Sequence, residues 1–198
     1  SWVRLTSGQD ELLVATRYGM AIRFDENDVR AMGRTARGVK AITLKDSDSV
    51  VGMSILREGG LVLTVSETGF GRLSPISDYH LQKRGGMGLL NYRVAQYGDV
   101  AAIKVVDPGD DVILISSNGI IIRIHADSIR ICARPSKGVL LMRVTENSRV
   151  VTVARVAGGS DDEEETAEPE DDGSACEGEE SPEEMQSEER QDDTEPNE

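Results

Sequence analysis

Cysteine is scarce in this chain. Only Cys132 and Cys176 occur in 198 residues, far apart and without ligand spacing, so neither a disulfide framework nor a zinc site is supported. No apolar run approaches the roughly 20 residues of a membrane span, and the start carries no signal-peptide pattern. The expectation is a cytoplasmic, reducing setting with no membrane partner. A Walker-type phosphate loop and a dinucleotide fingerprint are also missing. Asp46 with Asp48, and Asp110 with Asp111, read as turn acids. His80 and His125 fall at different phases of the chain's pattern, and the four tyrosines lack an activating partner. With no acid–base pair, nucleophile or metal cluster, no catalytic residue, metal ligand or cofactor is expected in these residues.

Large apolar side chains are missing from one segment. Residues 158–198 hold twenty acids, one base (Arg190), no aromatic residue, and Met185 as the only large apolar side chain. Such a stretch buries too little apolar surface to offset its ordering entropy, and it is predicted to be a disordered acidic tail. The formal charge of −14 therefore conceals a division. The tail carries −19, whereas residues 1–157 carry 21 Lys and Arg against 16 Asp and Glu, a net +5. That body is long enough for a real core. Its charge suggests a polyanionic partner, and the tail is either a competitor for the basic surface or a solubilising extension.

What is present is a repeat of fifty residues. Gly19, Gly69 and Gly119 are fifty apart, as are Gly38, Gly88 and Gly138, Val50, Val100 and Val150, and Arg34, Arg84 and Arg134. A period of this length marks a blade or coil architecture. Each unit contains four short runs rich in Val, Ile and Leu. In the third they are Val112–Ser116, Ile120–Ile124, Val139–Val144 and Val150–Val156, lengths that favour strands over helices. Arg17-Tyr18-Gly19, Glu67-Thr68-Gly69 and Ser117-Asn118-Gly119 join the first two runs. Asn-Gly predicts a hairpin turn with positive φ at both central residues. Four strands in fifty residues, repeated, predict an all-β, propeller-like array of about three four-stranded blades forming part of a ring. The units are expected to span 10–58, 59–108 and 109–157. The opening Ser1-Trp2-Val3-Arg4-Leu5 fits the phase of Val51–Ile55, so residues 1–9 are expected to end a preceding blade.

Between the second and third runs of each unit lies a polar stretch of about fourteen residues. It carries Asp28, Asp78 or Ser128, then Arg30, His80 or Arg130, then an arginine-bearing loop up to the second glycine. In the central unit that loop reads Gln82-Lys83-Arg84-Gly85-Gly86-Met87-Gly88. Its glycines free backbone N–H groups for phosphate, and its two cations neutralise charge. The equivalent loops supply Arg34 with Arg37, and Arg134 with Lys137. Cations repeated at one place in each blade predict a basic track that a bent polyanion would follow. Arg23 and Arg123, in the second strand, read as a solvated face.

These residues resemble one family. AIRFDENDVRAMGRTARGVKAI (residues 21–42), LTVSETGFGRLSPISDYHLQKRGGMG (63–88) and the run from ILISSNG through SIRI to KGVLL (113–141) are similar to the C-terminal domain of the bacterial DNA gyrase A protein. The resemblance covers essentially all of residues 1–157, and the acidic tail also fits. It implies a β-pinwheel, a propeller relative whose blades exchange strands, that binds and bends double-stranded DNA around a basic rim. In the parent enzyme such wrapping makes strand passage directional and introduces negative supercoils. ATP and Mg2+ are bound elsewhere in that parent, which pairs two copies of the gyrase A protein with the gyrase B protein in the bacterial cytoplasm, associated with the nucleoid. The family's seven-residue box is a Gln, two basic residues, two glycines, a basic residue and a glycine. Gln82, Lys83, Arg84, Gly85, Gly86 and Gly88 match it, while Met87 replaces the last base. The family's box lies in the first of about six blades, whereas one further unit follows this one. The chain thus aligns with the last half of that domain, and Gln82–Gly88 with a box-like loop of a late blade. The alternatives are the equivalent domain of the topoisomerase IV A protein and a protein-interaction propeller with no nucleic-acid role.

Overall fold

The computed structural model describes residues 2–158; beyond Gly158, the predicted acidic tail lies outside the described residues. The described part is all-β apart from short helical turns. Its strands are β1 (Glu11–Thr16), β2 (Met20–Asp25), β3 (Val50–Ile55), β4 (Leu61–Ser66), β5 (Phe70–Pro75), β6 (Leu89–Leu90), β7 (Val100–Val106), β8 (Asp111–Ser116), β9 (Ile121–His125), β10 (Val139–Leu140) and β11 (Val150–Val156). A single helical turn, α1 (Val94–Tyr97), precedes β7.

Each unit begins with an antiparallel hairpin, β1–β2, β4–β5 or β8–β9. The connecting turns are not the predicted type. Thr16, Ser66 and Ser116 accept from the N–H of Gly19, Gly69 and Gly119 at 3.1, 3.0 and 3.1 Å. The three glycines have φ of 83°, 85° and 84°, whereas Ser47 is the only non-glycine residue described with positive φ. Asn118 therefore does not adopt the doubly positive turn. The loop is a tight turn closed by one left-handed glycine, which spares Tyr18 and Thr68 the steric cost of positive φ.

The sheets run β3-β1-β2-β6, β10-β5-β4-β7 and β11-β8-β9. The outer strand of the first sheet comes from the second unit, with Met20 opposite Leu90 and Ala21 opposite Leu89. That of the second comes from the third unit, with Val139 opposite Gly71 and Leu140 opposite Phe70. A unit of sequence thus gives three strands to its own sheet and one to the sheet before it. The third sheet has three strands instead of the predicted four, because no following unit lies among the described residues. The uncovered β9 shows the consequence: Ile121 is 63% exposed, whereas Gly71 to Ser74 of the equivalent β5 are buried. Residues 2–9, expected to end a preceding blade, form no strand, and Leu5 is 95% exposed.

The core lies between neighbouring sheets. Leu13, Ala15 and Ala21 of the first sheet pack with Val62, Ile103 and Val105 of the second. Leu63, Val65 and Val106 of the second pack with Val112, Leu114 and Val153 of the third. Alternating strand residues face these interfaces. The loops that leave the outer edge are therefore carried on a packed base.

Candidate nucleic-acid interface

After β2, β5 and β9 the chain makes one turn of 3-10 helix at Glu26–Asp28, Ile76–Asp78 and Ala126–Ser128, then enters the long loop. The loop first runs beside the preceding unit's second strand. Leu81 forms a parallel bridge with Arg23, and Ile131 with Leu73. The Gln82 N–H donates to the Arg23 carbonyl at 2.8 Å, and the Cys132 N–H to that of Leu73 at 2.8 Å. The loop then turns and presses Gly88 or Gly138 against the preceding sheet. A Cβ on Gly88 would lie 2.4 Å from the Ala21 carbonyl oxygen, and one on Gly138 2.1 Å from that of Gly71. Gly38 has nothing within 4 Å, because the described residues include no unit before it.

The repeated arginine follows the same logic. Arg84 donates from Nε to the Asp28 carbonyl at 2.7 Å and from Nη1 to the Lys40 carbonyl at 3.1 Å. Fifty residues on, Arg134 donates from Nη2 to the Asp78 carbonyl and from Nη1 to the Leu90 carbonyl at 2.9 Å. Its guanidinium also sits 5.0 Å from the centre of the Tyr79 ring. Both are half-buried cross-links from one unit to the unit before it. Arg34 has no such unit to reach, and its exposed side chain has no partner among the described residues.

Other predicted site residues divide in the same way. Gln82 is half-buried and its amide lies 2.8 Å from the His80 ring nitrogen. The Gly85 N–H is taken by the Ala41 carbonyl at 2.6 Å. The Gly86 carbonyl accepts from the Thr43 N–H at 2.8 Å, and the Gly85 carbonyl from the Thr43 hydroxyl at 2.7 Å. That use corrects the picture of a freely offered glycine cradle at Gly85. Lys137 is half-buried, with its ammonium 3.6 Å from the Phe70 ring centre. Arg37 and Lys83 are exposed, and neither side chain has a partner among the described residues. Arg23 also departs from the predicted solvated face, whereas Arg123 keeps it, with a side chain 56% exposed. Arg23 pairs with Glu11 and donates to the Tyr79 carbonyl at 2.8 Å; Arg123 pairs with Asp111.

Sequence reasoning missed Arg72. It is 0% exposed and occupies the register of Ile22 and Ile122, and a charged residue among those isoleucines was the available signal. Among the described residues no carboxylate pairs with it. It donates from Nε to the Ser136 carbonyl at 3.1 Å, from Nη1 to the Ser74 hydroxyl, and from Nη2 to the backbone and side-chain oxygens of Asn91. The Tyr79 hydroxyl donates to Asn91 Oδ1 at 2.6 Å, and Asn91 Nδ2 donates to Thr64 at 3.1 Å. Desolvation raises the Tyr79 pKa, against the pull of Arg72 and Arg134, so the phenol stays neutral and available as a donor. This buried network ties the loops of the second and third units to one sheet.

A family model described as DNA gyrase C-terminal domain, beta-propeller, matches residues 10–57, 60–107 and 110–157. The chain belongs to that family. It is 39% identical over 162 residues to the DNA gyrase A protein of Staphylococcus aureus (strain MRSA252), a match covering 80% of this chain and 18% of the relative. The same protein from strain NCTC 8325 / PS 47 is 40% identical over 157 residues, covering 78% and 18%. The chain thus spans less than a fifth of these curated relatives. Among solved structures, it is similar to a C-terminal domain of DNA topoisomerase IV, at a TM-score of 0.74 and 26% identity, over 78% of this chain and 49% of that one. It is similar to a DNA gyrase A C-terminal domain at 0.71 and 25%, over 76% and 52%. Both likenesses fit a gyrase C-terminal propeller whose units hold one another through exchanged strands, glycine contacts and arginine cross-links. Among the described residues no group of His, Cys, Asp or Glu could hold a metal ion, and no helix is long and apolar enough to cross a membrane.

Proposed function

We propose that this chain binds and bends double-stranded DNA as the C-terminal part of the A protein of a gyrase-type topoisomerase. The observation that carries this reading is the set of cations its loops leave free. Arg30, Arg34, Arg37, Lys83, Arg93, Arg130 and Arg143 are exposed, and their side chains meet no carboxylate among the described residues. Lys40, Lys45 and Arg149 are exposed in the same way, whereas Arg17 pairs with Glu67 and Asp99, and Arg155 with Asp107 and Asp110. Exposed, unpaired cations suit a phosphate backbone, because contacts there need charge and position but no base reading. The chain is non-catalytic in this reading. Strand cleavage, ATP and Mg2+ belong to other regions of the parent, which would assemble with a second copy of itself and with the gyrase B protein.

Wrapping is tested with relaxed closed-circular plasmid incubated with the chain and a nicking-closing topoisomerase, then deproteinised. Retained supercoils that increase with protein support DNA bending of one hand. An unchanged topoisomer distribution at saturating protein overturns it. The topoisomerase IV reading rests on the solved domain of that enzyme, which this chain resembles about as closely as the gyrase domain. Supercoiling against decatenation by the parent enzyme separates the two.

A further inference from the structure

The DNA-binding reading leaves open which register of the repeat meets the phosphates, and on that reading we infer that Arg30, His80 and Arg130 form the primary track. Arg84 and Arg134 are then positioning residues beneath it. The three track residues are fifty apart, and each lies one residue beyond the capping residue of its unit's 3-10 turn. All three are exposed, and the guanidinium groups of Arg30 and Arg130 have no partner among the described residues. Their backbone is held where a neighbouring unit is present. The Arg130 carbonyl accepts from the Leu73 N–H at 3.2 Å, and the residues after His80 and Arg130 make the parallel bridges described above. A cation on a fixed backbone loses little freedom when it meets a phosphate.

The register four residues later is built differently. The guanidinium groups of Arg84 and Arg134 are each bound to two backbone carbonyls of the preceding unit. Those bonds take two of the five N–H donors of each half-buried guanidinium and fix it against the preceding unit, so a phosphate would meet only the remaining donors, and the main role of these arginines is to set the spacing of adjacent loops. His80 is the weak member of the track. Its ring is engaged by Gln82, and imidazole lacks the permanent charge and five-donor fork of arginine.

The experiment measures anisotropy of a labelled linear duplex with the full chain across a salt series, alongside thermal melting of each protein. Each phosphate contact contributes about 0.9 to the slope of log K against log salt, roughly eightfold in affinity at 0.1 M salt. R30A/R130A is expected to lower the slope by about two and to weaken binding by roughly sixtyfold, with an unchanged melting temperature. H80R is expected to raise the slope by about one. R84K/R134K keeps both charges but cannot span two carbonyls, so it is expected to melt lower while the slope is retained. If the wild type binds DNA but R30A/R130A keeps its affinity and slope, the track assignment is overturned and the DNA reading stands. If R84K/R134K melts like the wild type, the positioning role is overturned. If the wild type does not bind the duplex, the underlying reading falls and the track with it.

Discussion

Gly38, Gly88 and Gly138 share a register and nearly the same backbone, with φ of +79°, +75° and +81°, yet only two of them touch a preceding unit. Alanine at each position isolates what that contact contributes. A Cβ at positive φ costs about 1–2 kcal/mol in any of the three. At Gly88 and Gly138 the Cβ also falls 2.4 and 2.1 Å from a backbone carbonyl oxygen, whereas at Gly38 it meets open space. The carbonyls belong to Ala21 and Gly71, which pair with the exchanged strands β6 and β10, so relief of the clash displaces those short strands. Overpacking of this kind adds about 1–3 kcal/mol. G88A and G138A are thus expected to be less stable than G38A by about 2 kcal/mol, a melting difference of roughly 4–8 °C for a chain of this size. Urea and thermal unfolding of the three variants provide the measurement. Equal losses at all three positions would refute the claim that the second glycine exists for contact between units.

Further expectations concern the core, acid stability and the tail. Arg72→Met removes donors from the buried Asn91 oxygens and the half-buried Ser136 carbonyl, at about 1–3 kcal/mol for each buried acceptor left unpaired; urea unfolding reads it, and a neutral result would contradict the stabilising role of the network. Burial alone would raise the Asp110 pKa, but the hydrogen bond from Arg155 and those from the Asp107 and Gly158 amides bring it below the usual value. A depressed carboxylate stabilises the fold above its unfolded pKa and loses that contribution as pH falls. The wild type should therefore lose stability below about pH 4, near the ordinary aspartate value, and Asp110→Asn should flatten that part of the profile; parallel curves would contradict this. Removing residues 158–198 is expected to tighten DNA binding at low salt through loss of competing carboxylates, whereas unchanged binding would leave the tail a solubiliser.

The repeat was legible because it is local. Valine and isoleucine runs of strand length, with Gly19, Gly69 and Gly119 between them, point to hairpins without further information. Strand exchange was not legible from spacing, since β6 and β10 are only two residues each and pair about seventy residues away. The family resemblance implied exchange; no propensity did. The roles of the cations were hidden for the same reason. Arg34, Arg84 and Arg134 look alike in sequence, but what each touches lies 44 or 56 residues back, so the two with a preceding unit become cross-links and the first stays free. Arg30, His80 and Arg130 were visible in the repeat as well, and what separates the two registers is the binding of Arg84 and Arg134 to carbonyls of the preceding unit.

The central claim is that exposed cations carried on interlocked units bind a phosphate backbone. The salt dependence of duplex affinity tests it most directly. With five or six phosphate contacts, log K should fall against log salt with a slope of about −5, and duplexes of unrelated sequence should bind alike. An isotherm that stays flat from low to moderate salt would contradict the account.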